Sequence, residues 1–137
     1  MLNKKIIKKG DKIMAIIFRK SSSGKGSMFL TPNEYTLQVG LLQHPKGTIL
    51  KDHRHNPKIK YNVDTTQEFL FIENGKVKVK FFDDEWNLID TTILNAGDFM
   101  LHISGGHGFE ILEKARMIEI KQGPYPGEKS AKIYRNE

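Results

Sequence analysis

The chain contains no cysteine, a single tryptophan and no long apolar run. Without thiols there is no disulfide framework, no zinc finger, no thiolate cluster and no cysteine nucleophile. The same absence fits a reducing compartment. No window reaches the roughly 18 unbroken apolar residues a membrane span needs, and the longest N-terminal apolar run, Ile13 to Phe18, is too short for a secretory signal. The expected location is therefore cytoplasmic, with no membrane partner. Acidic side chains are scarce at one end only. Residues 1–30 carry eight Lys or Arg against Asp11 alone, a local charge of +7, although the whole chain carries only +6. No helix-turn-helix, zinc-finger or RNA-binding pattern accompanies these lysines, so a solvated basic strand and arm is expected and a nucleic-acid partner is not.

What remains is 137 residues, 38% of them hydrophobic, in one soluble globular domain. At this size a core buries roughly two-thirds of the surface exposed by the unfolded chain, so neither metal nor disulfide is needed merely to hold the fold. Apolar runs are short, two-fold in period and cut by Gly, Pro, Asn and Asp, which predicts an all-β chain. Strands are expected at Lys12–Phe18, Ser27–Leu30, Thr36–Gln43, Ile49–His55, Gln67–Glu73, Lys76–Phe82, Leu88–Asn95, Asp98–Ile103, His107–Glu113 and Arg116–Gln122. About ten short strands at this spacing suggest a sandwich or barrel. Residues 1–30 would pack on the barrel as a basic strand and loop, 31–122 would form it, and 123–137 would be a surface tail or an arm across a neighbouring subunit.

Asn74-Gly75 lies between two β-rich runs and predicts a type I′ hairpin over Gln67–Phe82, because that turn needs positive φ at both central residues. Val77, Val79 and Phe81 alternate there with Lys76, Lys78 and Lys80, giving one buried and one wet face. In the first arm Leu70 and Ile72 share a face with Glu68 while Phe69 and Phe71 occupy the other. Two apolar faces call for a second layer, supplied either by a homodimer packing Phe69 and Phe71 or by the N-terminal strand of the same chain.

His53 and His55 stand two apart in a predicted strand, so their imidazoles share a face and can converge on one ion. They sit in a spaced pattern of Gly47, His53, His55, Glu68 and Gly75, followed by a second of Gly97, Gly105 and His107. Three imidazoles and a carboxylate are thus available. An acid heading an apolar face, as Glu68 does, otherwise carries an unexplained desolvation cost. His102 is a competing ligand or an outer group, and His44, before Pro45, reads as a turn residue. Lys46, Lys51, Arg54, Lys58 and Lys60 surround the histidine pair against Asp52, a field that would concentrate small anions.

These two ordered motifs resemble those of the cupin superfamily and span about residues 36 to 122. There are departures. The twelve residues Asn56 to Gln67 make a longer spacer than the family's, Ile103 stands where proline is usual, and the terminal Asn of the second motif is absent. The resemblance implies a jelly-roll β-barrel with a divalent metal, Fe, Mn, Ni or Zn, held by His53, His55, Glu68 and His107, leaving positions for substrate or water. Thr66-Gln67-Glu68, the Gly105–Phe109 segment and Lys121-Gln122-Gly123-Pro124-Tyr125 are similar to small cupins that accompany bacterial surface-polysaccharide and nucleotide-sugar enzymes. That implies a role on a small anionic carbohydrate, including nucleotide-linked keto sugars, as an isomerase or epimerase. In that picture His102 is the candidate general base. An Fe(II) dioxygenase using the same ligands and a non-catalytic sugar-binding module are the alternatives.

Overall fold

In the computed structural model, which describes residues 1–136, the chain runs through β1 (Lys4–Lys9), β2 (Lys12–Phe18), β3 (Gly26–Phe29), β4 (Gly40–Gln43), β5 (Glu68–Phe82), β6 (Leu88–Asn95), β7 (Phe99–His102) and β8 (Gly106–Lys121). One helical turn, α1 (Glu128–Ala131), follows. The all-β expectation holds. Among the described residues no helix is long and apolar enough to cross a membrane.

Six strands form a strongly curled antiparallel sheet in the order β1-β2-β7-β5-β6, with β8 along the other edge of β5, while β3 and β4 pair separately. The inward face packs Ile7, Met14, Leu70, Ile72, Val77, Val79, Phe81, Leu94 and Met100. On the outer face Ile16, Phe18, Leu101 and Val39 form a second cluster, with Leu37, Phe69 and Phe99 against it. Residues 37–39 of the same chain therefore provide cover for Phe69, in place of the N-terminal strand expected from the sequence, which lies within the same sheet instead. Asp98, at the turn before β7, is buried and bonded by Arg19 Nη1 at 3.0 Å and by the backbone N–H groups of Lys20 and Asn95, both at 2.9 Å.

The basic N-terminus belongs to this sheet. β1 pairs β2 along its length, a strand the sequence pattern did not set apart from the basic arm. Three of the N-terminal lysines meet nearby acids: Lys9 reaches Asp83 at 2.7 Å, Lys5 reaches Asp90 at 3.5 Å and Lys12 reaches Asp84 at 3.9 Å. The bond from Lys9 holds the Asp83 carboxyl well below the usual carboxylate range.

Three strand expectations need correction. The Asn74-Gly75 hairpin is absent, for β5 runs straight through it as a β-bulge. Gly75 has φ 91°, and a Cβ there would collide with the Lys114 carbonyl and Ala115. Asn74 Oδ1 instead accepts the Arg116 N–H at 3.0 Å. Positive φ suits a bulge as well as a turn, and the continuous partner strand β8, which replaces the two predicted strands of 107–113 and 116–122, selects the bulge. The register shifts between Ile72 and Val77 go with a change of phase, so that inward positions are even-numbered at Glu68, Leu70 and Ile72 and odd-numbered at Val77, Val79 and Phe81.

The second correction concerns Ile49–His55, which forms no strand. Residues 42–66 are exposed throughout. Beyond Gln43 the backbone makes only local turns, such as Thr48 N–H to the Pro45 carbonyl at 3.2 Å, and no described strand pairs with it. Thirdly, Thr36–Gln43 is a strand only from Gly40, since residues 30–39 cross the outer face and bury Val39.

Candidate active site

Glu68 opens β5 and lies between His102, the last residue of β7, and Lys121, the last of β8. His107 enters from the beginning of β8. The turn through Gly105, at φ 78°, returns the chain so that His107 comes over His102, and the curl of the sheet sets it against Glu68. A Cβ on Gly105 would strike the Phe82 carbonyl and Met14, so this close return requires glycine.

The resulting chain of polar groups is continuous. His107 Nδ1 lies 3.2 Å from His102 Nε2, and His107 Nε2 lies 3.7 Å from Glu68 Oε1. Glu68 also shares a hydrogen bond with the Glu119 carboxyl. His102 is only 5% exposed, and burial, reinforced by His107, pushes its pKa down to about 3. Its ring donates to the Ser104 backbone, a bond that acts in the opposite direction. With its other nitrogen so occupied, the neutral His102 presents Nε2 as an acceptor to His107 Nδ1–H. That leaves the lone pair of His107 Nε2 aimed at Glu68. Burial lowers the His107 pKa as well, so this ring is neutral near pH 7. Glu68 moves the other way. Burial first, then the hydrogen bond and charge of Glu119, raise its carboxyl to about 7, with Lys121 and Lys132 opposing. One neutral base and one carboxylic acid thus stand side by side.

They line a cavity of about 840 Å³ with Phe82, Trp86 and Phe109 as an apolar wall. The tail does not stray: residues 131–135 lie on this cavity, bringing Lys132 and Arg135, whose guanidinium sits 5.2 Å above the Phe82 ring. Tyr134, also on the wall, donates to Glu128 Oε1 at 3.2 Å. Glu137, the final residue assigned to the tail, lies outside the described residues. Glu68, Thr66 and Lys132 are shared with a second cavity of about 320 Å³ that adds Lys121 and Tyr125.

Of the residues singled out from the sequence, Glu68, His102 and His107 come together. His53 and His55 do not join them within the chain. Both are exposed, their ring centroids 5.7 Å apart, with His53 Nδ1 2.9 Å from the Lys51 carbonyl oxygen. Lys46, Lys51, Arg54, Lys58 and Lys60 share that exposed segment rather than the cavity. His44 Nε2 meets Ser27 Oγ at 3.1 Å beside the β3–β4 pair. Among the described residues no three His, Asp or Glu side chains are arranged to hold a metal ion. Within one chain, then, the four expected ligands are not gathered, because His53 and His55 lie on the exposed segment while Glu68 and His107 line the cavity.

Glu119, Lys132 and Arg135 were not evident from sequence reasoning. For Glu119 a signal existed: it is an acid set in the apolar stretch 117–120, between Ile118 and Ile120. No family model matches the chain, nor does any curated protein or solved structure.

Proposed function

We propose that the protein is a sugar isomerase or epimerase that moves a proton next to a carbonyl of a small anionic carbohydrate. The observation that carries this reading is the pairing of neutral His107 Nε2 with a Glu68 carboxyl raised to about 7, at 3.7 Å, inside a cavity large enough for a sugar. His107 takes the proton from the carbon beside the carbonyl, and Glu68 gives its own to the carbonyl oxygen, producing a neutral enediol. Glu68 then recovers a proton from the neighbouring hydroxyl while His107 returns the carbon-bound proton to the adjacent carbon. His102 fixes the His107 tautomer and touches no substrate in this scheme. Lys132, Arg135 and Lys121 supply attraction for a phosphate or carboxylate group. The cupin-like motifs and the curled sheet are compatible with this assignment, as is a cytoplasmic site of action.

The test is exchange of carbon-bound hydrogen in deuterated water with a panel of keto sugars and their nucleotide-linked forms. Exchange is expected in the wild type, with losses of about 10²- to 10⁴-fold in Glu68→Gln and His107→Ala. The rate should fall as pH rises past about 7, when Glu68 loses its proton. Exchange absent across the panel, or retained in Glu68→Gln, would refute the scheme. Elemental analysis decides the metal alternative: a stoichiometric ion lost in both His53→Ala and His107→Ala would replace proton transfer by metal-assisted chemistry, and oxygen uptake with bound iron would favour the dioxygenase. Sugar binding without exchange would leave the non-catalytic module.

A further inference from the structure

Trp86 is the single tryptophan of the chain, and it stands where a bulky side chain is least expected. Its φ is 66°, one of two positive values outside glycine among the described residues. That region suits Gly or Asn at a turn, so an aromatic residue there carries backbone strain that its surroundings must hold in place. Asp83 does so. It is 8% exposed, and its carboxylate accepts the N–H groups of Glu85 at 3.0 Å and Asn87 at 2.8 Å, the Asn87 side-chain amide at 3.0 Å and the Lys9 ammonium at 2.7 Å. Its backbone carbonyl accepts the Trp86 N–H at 3.0 Å, which closes the turn.

The strained turn delivers the indole to the cavity. Asp84, Glu85 and Asn87 beside it are exposed, but Trp86 is half-buried, lines the cavity and meets Phe82 edge-on, with ring centroids 5.8 Å apart. A Cβ on Gly106 would stand 2.9 Å from Trp86 Cζ3, so the indole rests on bare backbone one residue before His107. Cα atoms of successive residues are only about 3.8 Å apart. Whatever lies against the indole is therefore a near neighbour of the carbon whose proton His107 takes, and not a group carried beyond a diphosphate. In a closed pyranose ring the axial C–H bonds form a flat, slightly positive patch that matches the negative face of an aromatic ring. An open-chain sugar has no such patch, and its hydroxyls would lose water against the indole without gaining a partner.

We propose that Trp86 determines the specificity of the site: its indole takes the C–H face of a pyranose ring and selects the closed ring over an open-chain sugar, with Asp83 as the residue that positions it. This deepens the reading of the cavity as a sugar site and rests on it. The strain at Trp86 and the missing side chain at Gly106 serve the same end, which is an aromatic face beside the proton-transfer pair.

A single tryptophan reports on its own contacts, which makes the test direct. Its emission is titrated with glucose 1-phosphate and galactose 1-phosphate, whose rings cannot open, and with sorbitol 6-phosphate, uridine 5′-monophosphate and inorganic phosphate. Calorimetry supplies affinities for variants that lack the indole. At least one of the two pyranose phosphates should shift the wild-type emission and bind about tenfold more tightly than sorbitol 6-phosphate. Trp86→Gly should lose that preference while keeping its affinity for inorganic phosphate, and Trp86→Tyr should recover most of it. The proposal is overturned by unchanged emission with both pyranose phosphates, by sorbitol 6-phosphate or uridine 5′-monophosphate binding as tightly, or by a Trp86→Gly variant that keeps the preference or loses inorganic phosphate equally. No catalysis is read. Hydrogen exchange that fails while this preference stands refutes the isomerase alone, and exchange that proceeds without the preference refutes the role of Trp86 alone.

Discussion

β2 and β8 belong to the same sheet and have opposite surroundings. β2 is hydrogen-bonded on both edges, by β1 and β7, and Met14 to Phe18 are buried on both faces. β8 is bonded on one edge and has no fully buried residue. β2 is almost wholly apolar while β8 mixes apolar and charged residues, yet even Ile118 and Ile120 of β8 stay half exposed because no described neighbour covers them. The first side of the sheet carries the stability of the chain, and the second carries the candidate chemistry beside an unfinished edge.

The contrast can be broken most forcefully by truncation. Phe81→Ala, in the closed core, should cost about 3–5 kcal/mol in denaturant unfolding. Ile111→Ala on β8 should cost under about 1 kcal/mol in dilute solution, since half of that side chain already meets solvent. A cost at Ile111 that grows with protein concentration would sharpen the comparison by showing that another chain covers β8. Next, Asp98→Ala should lose about 3 kcal/mol, because it leaves the Arg19 guanidinium and two backbone N–H groups without their carboxylate. Gly75→Ala should lose about 2 kcal/mol by forcing a side chain into positive φ against Lys114. An unchanged midpoint would mean that the bulge relaxes.

The smallest effect is linked to pH. The carboxyl of Glu68 titrates near 7 when folded and at about 4.3 when unfolded. Its proton therefore stabilises the folded chain fully below the lower value, and this contribution disappears as pH rises through about 7. Glu68→Gln should gain roughly 1 kcal/mol over the wild type at pH 8, less than the full shift implies because the carboxyl opens on the cavity. His102 and His107 act in reverse: with folded pKa values held low, they lose stability as pH falls below about 6.5. Equal pH profiles for Glu68→Gln and wild type would remove the case for a buried acid.

Much of the sheet was legible because a short apolar run marks a buried strand, as at Lys12–Phe18, and alternation reports a buried face directly, as at Lys76–Phe82. Asn74-Gly75 misled because a local preference for positive φ does not say whether the chain turns back or bulges; only β8, far along the sequence, selects between them. The Ile49–His55 pattern predicts a strand but cannot name its neighbour. At the site, Glu68 and His107 stood out as polar residues heading apolar faces. Lys132 and Arg135 did not, since their position depends on the path of the tail back to the cavity, which no periodicity encodes.

β5 breaks its alternation between Ile72 and Val77, and that break sets the phase of all that follows. Straightening it at constant chain length would turn Val77, Val79 and Phe81 outward and bring Lys76, Lys78 and Lys80 into the interior. Loss of this one irregularity would therefore do more harm than almost any exchange of side chains, since three ammonium groups would replace three hydrocarbon ones at a single stroke.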